Sequence, residues 1–292
     1  MRQKSLTIQG VEWEYETAGR GEEALLLFHG AVGGGETMRG LAEAFAGEFR
    51  TIAPTVADVD TLAEVCDAAS AILDREHVAR AHVFGGSFGG LVAQAFVHRR
   101  PAQVSTLTLL STGAPDRRAG GRAERAYRLA RLVPFPVTRA LLKFGVARQL
   151  RPPADGEAAE RFEGFRGRLD EYLDRRLTKR TMLSRLALGL DFNLRESYAA
   201  EDLEAWPGRV LIVESDDDPL ITDEDRRRLR SLYRGALVCA FPGAGHLVQL
   251  VRPEGLTEVV RAFVKEEYAA PSDIEDHCPA DGHHAHQHPT HD

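Results

Sequence analysis

Ala81-His82-Val83-Phe84-Gly85-Gly86-Ser87-Phe88-Gly89-Gly90 is the stretch whose reading decides the fold. An apolar run ends in glycine, a single serine follows, and two more glycines open an amphipathic segment that reads as a helix from Leu91 to His98. The pattern is a strand, a sharp turn and a helix, with Ser87 at the bend. Glycines at 85 and 89 suit such a turn, because strand and helix then approach too closely for larger side chains and the serine is held in a strained conformation. The result is a hydroxyl exposed at the carboxyl end of a strand. Beside it the amide of Phe88 can face an oxygen that becomes negative during acyl transfer. A phosphate-binding turn fits less well: the Lys-Ser/Thr ending of a Walker loop is missing, and no acidic residue stands where a dinucleotide fold needs one.

Working outward, the flanking segments alternate. Ser5–Gly10 and Val11–Glu16 read as a hairpin, Ala24–Phe28 as a buried parallel strand and Arg50–Thr55 as another. Thr61–His77 carries Leu62, Val65, Ala69, Ile72 and Leu73 on one side and reads as a helix. Ser105–Leu110, Arg209–Glu214 and Ala236–Phe241 complete the strands. Helices are expected over Met38–Ala46, Asp223–Leu232 and Leu256–Tyr268. Steady alternation of this kind predicts an α/β fold with a mostly parallel sheet covered on both faces, binding ligands at the strands' carboxyl ends.

The alternation stops at Gly113. From residue 114 to 200 only helical patches occur, over 124–132, 137–150, 157–177 and 182–190, broken by Pro134, Pro136, Pro152 and Pro153. This predicts a helical cap inserted into a core made of residues 1–113 and 201–268. Phe135, Leu141, Phe144, Phe162 and Phe165 are expected either to line its pocket or to pack as its core. After Tyr268, residues 269–292 read as a disordered tail containing His283, His284, His286 and His288, whose spacing matches no ordered metal site.

The chain has 292 residues, 43% of them hydrophobic, and a net charge of −7, which argues against general nucleic-acid affinity. The charge is unevenly distributed: between Pro115 and Ala200 there are 19 Lys and Arg against 11 Asp and Glu. No apolar run is long enough to span a bilayer, and the first residues lead into a strand-like segment, so the expected location is the cytoplasm. Cys66, Cys239 and Cys278 form an odd set without framework spacing, so no structural disulfide is expected.

A serine hydroxyl needs a base, and imidazole is the usual one. His246 qualifies, since Pro242-Gly243-Ala244-Gly245-His246-Leu247 is a flexible loop following a strand. Its acceptor lies in Ser215-Asp216-Asp217-Asp218-Pro219, where Asp218 is the choice, Asp216 and Asp217 are rivals, and Asp116 is a weaker one. After Ala24–Phe28 comes His29-Gly30-Ala31-Val32-Gly33-Gly34-Gly35, a glycine-rich loop in which Ala31 is expected to present an amide. His29 fits a structural hydrogen-bonding role. Serine, acid and histidine, in that order and each after its own parallel strand, is the order of α/β-hydrolases.

At these residues the chain resembles the α/β-hydrolase superfamily across Leu6 to Val264. His29-Gly30 corresponds to the oxyanion loop, Gly85-Gly86-Ser87-Phe88-Gly89 to the nucleophile elbow, Asp218 to the acid and His246 to the base. The resemblance implies an eight-stranded, mostly parallel sheet, a cap between the sixth and seventh strands, and acyl-enzyme chemistry on Ser87 without a cofactor. Ser87 itself disfavours the branches with an aspartate nucleophile. The elbow's continuation Gly90-Leu91-Val92-Ala93-Gln94, the short connection from Pro54 to Thr61 and the segment from Pro134 to Leu150 also resemble maspardin-like members of the superfamily. The chain departs from common hydrolases in lacking an Asp-x-x-Gly-x-Gly-x-Ser segment after the fourth strand. The function expected is hydrolysis of a small acyl substrate, an ester, thioester or lactone. A maspardin-like binding protein and a carbon–carbon bond hydrolase are the alternatives.

Overall fold

A computed structural model describes residues 1–149 and 156–266. In chain order it contains β1 (Arg2–Ile8), β2 (Val11–Ala18), β3 (Ala24–Phe28), α1 (Arg39–Phe45), β4 (Arg50–Pro54), α2 (Leu62–Arg75), β5 (Ala81–Gly86), α3 (Phe88–Arg99) and β6 (Val104–Leu110). Four helices follow before the next strand: α4 (Arg117–Leu132), α5 (Phe135–Gln149), α6 (Gly156–Glu171) and α7 (Lys179–Leu194). The chain then forms β7 (Arg209–Glu214), α8 (Asp223–Leu232), β8 (Leu237–Ala240), α9 (Val248–Val251) and α10 (Pro253–Val264).

The eight strands form one sheet in the order β1-β2-β4-β3-β5-β6-β7-β8. Only β2 runs against its neighbours; from β4 to β8 every pairing is parallel. The expected α/β-hydrolase architecture is therefore the observed one. Strand alternation divides the core into two layers. Leu26, Phe28, Val83, Leu107, Leu109 and Ile212 pack on one face, and Leu25, Leu27, Phe84, Leu110, Leu211 and Val213 on the other. Both layers are covered by helices, which is why the central strands are apolar throughout.

Local sequence accounts for the flanking helices. Thr61 caps α2 with a capping box: its hydroxyl accepts from the Glu64 amide and the Glu64 carboxylate accepts from the Thr61 amide. Helix α10 buries Leu256, Val259, Val260 and Phe263, spaced for one stripe. Helix α3 begins at Phe88, three residues before the expected start, because Gly89 and Gly90 are helical despite their low propensity. A short helix, α9, follows His246 where no element was expected.

Helices α4 to α7 bury a cluster of their own, Leu169, Leu173, Leu177 and Met182, joined by Phe135, Phe165 and by Val32 from the loop after β3. Phe162 is buried as expected, but Leu141 and Phe144 are exposed. That corrects their reading as pocket or core residues: α5 has apolar side chains on two sides, and only one side is turned inward. Helix α7 is bolted to the segment after β4. The Asp191 carboxylate accepts from the Leu62 amide at 2.7 Å, and the Ser184 hydroxyl donates to the Val59 carbonyl. Cys66 is a buried free thiol, and Cys278 lies outside the described residues. The tail histidines lie outside the described residues. Among the described residues no helix is long and apolar enough to cross a membrane, and no group of three or more His, Cys, Asp or Glu could hold a metal ion.

Leu26 is fully buried at the centre of the sheet, and Leu132 is 83% exposed at the end of α4. Leu26→Ala is expected to lower the unfolding free energy by about 2–5 kcal/mol. Leu132→Ala should change it by less than about 0.5 kcal/mol. Urea midpoints of the two variants check the difference.

Candidate active site

The turn at Ser87 is built by exclusion. A β-carbon at Gly85 would lie 2.2 Å from the Gly89 carbonyl oxygen, and one at Gly89 would lie 2.2 Å from that of Phe28. Only glycine permits this approach. Ser87 itself has φ 53° and ψ −121°, a conformation that L-residues adopt at a cost. Its backbone is held on both sides: the Ser87 amide donates to the Leu110 carbonyl at 2.8 Å, and the Thr112 hydroxyl donates to the Ser87 carbonyl at 2.8 Å. The side chain stands half-buried at the carboxyl end of β5.

His246 reaches this point from the loop after β8. Its Nε2 lies 3.0 Å from Ser87 Oγ, and its Nδ1 lies 2.9 and 3.0 Å from the two carboxylate oxygens of Asp218. A carboxylate only accepts, so Nδ1 carries the proton and Nε2 is left to accept from the serine hydroxyl. Asp218 is fixed in turn, its Oδ1 accepting from the Leu220 and Ile221 amides at 2.8 and 3.1 Å. Both His246 and Asp218 are buried.

The rival aspartates have other partners. Asp216 Oδ1 accepts from the Gly243 amide at 2.9 Å and Asp217 Oδ1 from the Gly245 amide at 2.8 Å, while Ser215 Oγ accepts from the Ala244 amide at 3.2 Å. Three consecutive residues thus anchor the loop that carries His246. Burial works to raise the Asp217 pKa, but hydrogen bonds from Ser215 and Gly245 outweigh it and hold the carboxyl below its ordinary value. Asp116 instead caps α4, accepting from the Arg118 and Ala119 amides.

The loop after β3 lies beside the turn because Phe28 pairs with Gly85 in the parallel register. Ala31 is exposed in that loop. Phe88 opens α3, so its amide belongs to the helix N-terminus and has no acceptor within the helix. His29 is fully buried: Nε2 accepts from the Val56 amide at 3.0 Å, so Nδ1 holds the proton and donates to the Gly30 carbonyl at 2.6 Å. Burial first, then the charge of Arg185, lowers its pKa to about 3. It is a neutral strut between the loops after β3 and β4.

Arg185 of α7 was missed by sequence reasoning. Its guanidinium lies 5.7 Å from the centre of the Phe88 ring and donates to the Val56 and Ala57 carbonyls. It is buried, its Nε has no hydrogen-bond partner, and burial lowers its pKa. Nothing in the sequence separates it from the other arginines of α4 to α7. Tyr172, likewise unforeseen, is hydrogen-bonded to the backbone of Gly33, and Arg176 pairs with Glu36 at 3.2 Å. The segment between α6 and α7 thus lies against the loop that holds Ala31.

The chain belongs to the alpha/beta hydrolase family, which it matches over residues 25–262. It is 26% identical over 274 residues to the dihydrolipoyllysine-residue acetyltransferase component of the acetoin cleaving system of Pseudomonas putida, an alignment covering 86% of this chain. The chain spans 66% of that relative's length. It superposes on a thermophilic esterase from Thermogutta terrifontis with a TM-score of 0.72 at 19% identity, covering 91% of this chain and 99% of the esterase. For the enol-lactonase from Burkholderia xenovorans LB400 the TM-score is 0.71 at 17% identity, with 90% and 100% covered. At such identities the likeness concerns the fold.

Two histidines give the fold a pH dependence. His29 titrates at about 3 and His98, lowered chiefly by burial, at about 4, against 6.5 for a free imidazole. Below 6.5 the unfolded chain takes up protons that the folded chain refuses, so stability is complete above 6.5 and is lost as pH falls toward 4. The slope is about 1.4 kcal/mol per pH unit for each histidine. Thermal melts at pH 7 and pH 5 should therefore show a lower Tm at pH 5.

Proposed function

We propose that the protein is a serine hydrolase that cleaves a carboxylic ester, thioester or lactone by way of an acyl-enzyme on Ser87. The observation that carries this reading is the unbroken run of hydrogen bonds from Ser87 Oγ through both nitrogens of His246 to Asp218. Family membership and the shared fold of the esterase and the enol-lactonase support the same class of chemistry.

In the proposed mechanism Ser87 Oγ attacks the substrate carbonyl carbon while His246 Nε2 takes its proton. The carbonyl electron pair moves onto oxygen, where the amides of Ala31 and Phe88 stabilise the negative charge. Collapse of the tetrahedral intermediate expels the alkoxide or thiolate, which receives the proton from His246. Water then loses a proton to His246, attacks the acyl carbon and releases the carboxylic acid, and Ser87 regains its proton. Asp218 stabilises the imidazolium in both steps without itself being protonated. Helices α4 to α7 are read as a cap over the site, with Arg185 and Tyr172 setting the positions of Phe88 and the Ala31 loop.

A fluorophosphonate probe should label the folded protein on Ser87. Ser87→Ala should abolish labelling and lower ester turnover by roughly four to six orders of magnitude, with melting temperature retained. Asp218→Asn should lower kcat by roughly 10³- to 10⁴-fold. Asp217→Asn, which loosens the loop but leaves the Asp218 contact, should cost far less. Ester hydrolysis surviving in purified Ser87→Ala would falsify the mechanism, and a folded wild-type chain that takes no label would favour a binding protein.

A further inference from the structure

Helices α4 and α5 carry two features that neither the core nor the site at Ser87 uses. Between Arg117 and Gln149 there are nine Lys and Arg but only one acidic residue, Glu124, in a chain of net charge −7. All six arginines of α4 are exposed. On the same two helices five large apolar side chains stand in solvent: Leu129 at 62% exposure, Leu132 at 83%, Val137 at 49%, Leu141 at 64% and Phe144 at 68%.

Spacing organises these residues. Arg118, Arg122, Arg125, Leu129 and Leu132 recur at intervals of three and four, so they run along one side of α4, basic at its start and apolar at its end. Val137, Leu141 and Phe144 do the same along α5. The two apolar segments flank the short connection at residues 133 and 134, and arginines border them. The opposite side of α5, with Phe135, Leu142 and Val146, packs into the cluster that includes Val32, while α4 packs against α7. A helix that is apolar on two sides has a second side to cover.

We infer that the α4–α5 face docks on the surface of an anionic phospholipid bilayer, its leucines and Phe144 entering the acyl boundary and its arginines engaging headgroup phosphates. An exposed apolar patch bordered by arginines is the pattern of interfacial helices. A second copy of the chain fits poorly, because a symmetric contact would bring two strongly cationic faces together. A nucleic acid would engage the arginines but leave Leu132 and Phe144 in water.

Flotation of the full chain with vesicles tests the inference. Binding is expected to phosphatidylglycerol-containing vesicles and not to pure phosphatidylcholine, and it should be lost in about 1 M salt, where screening is short-ranged. Each α4 arginine changed to glutamine should weaken binding on the order of fivefold. The double variant Leu132→Ser, Phe144→Ser should weaken it on the order of tenfold or more with an unchanged melting temperature. The inference is overturned if anionic vesicles recruit no more protein than neutral ones. It is equally overturned if the double variant binds as well as the wild type, or if light scattering shows a dimer that the double variant abolishes.

Discussion

The backbone of Gly89 passes so close to the ends of β3 and β5 that no side chain fits there, and the geometry around Ser87 follows from that approach. Because α3 starts in contact with the Phe28 and His29 carbonyls, the loop carrying Ala31 has one place to go. Because Ser87 sits at a positive φ, its hydroxyl turns away from the sheet and toward the strand ends. The strain is offset by two hydrogen bonds to the Ser87 backbone, one with Leu110 at the end of β6 and one from the Thr112 hydroxyl just beyond it. His29 then carries the constraint one loop further by bonding the Val56 amide. A single close approach thus sets the positions of loops from four adjacent strands.

Much of this is legible in the sequence because it depends on residue types with few conformational options. The expected bounds of β3, β7 and α8 match the observed ones, since Ala24–Phe28 is a continuous apolar run, Val210–Val213 is another bounded by Arg209 and Glu214, and Thr222 caps α8 with Asp225. Glycine punctuation located the turn at Ser87, and a glycine-flanked loop located His246. Local signals failed where tertiary contacts decide. The start of α3 moved to Phe88 because packing against β3 outweighs the low helix propensity of Gly89 and Gly90. Leu141 and Phe144 carry the same apolar signal as Phe162, and nothing in a periodicity says which side of a helix faces the protein. Arg185 is one arginine among nineteen basic residues of its region, and only the fold turns it to the buried side of α7 against Phe88.

The three aspartates after β7 show how a run of like residues is divided into different tasks. Strand periodicity alone would leave them equivalent. Their separation comes from the β8 loop, which presents amides at Gly243 and Gly245 and an imidazole at His246. Each acceptor takes the donor opposite it. An imidazole on a free loop of that length would have to be ordered at every encounter, at a backbone cost of roughly 1–2 kcal/mol per residue fixed. Hydrogen bonds donated by the loop amides to Ser215, Asp216 and Asp217 meet that cost within the fold, and His246 Nε2 stands 3.0 Å from Ser87 Oγ.

Burial also sorts the charges around the site. His29 is kept neutral beside the buried cation of Arg185, so the two do not repel, and the carbonyls of Val56 and Ala57 take the place of an anionic partner for the guanidinium. A carbonyl dipole compensates a buried cation less fully than a carboxylate does, and the unpaired Nε leaves part of that field unspent. Had a carboxylate filled the place, it would neutralise Arg185. Carbonyl partners hold the guanidinium against the Phe88 ring without an ion pair.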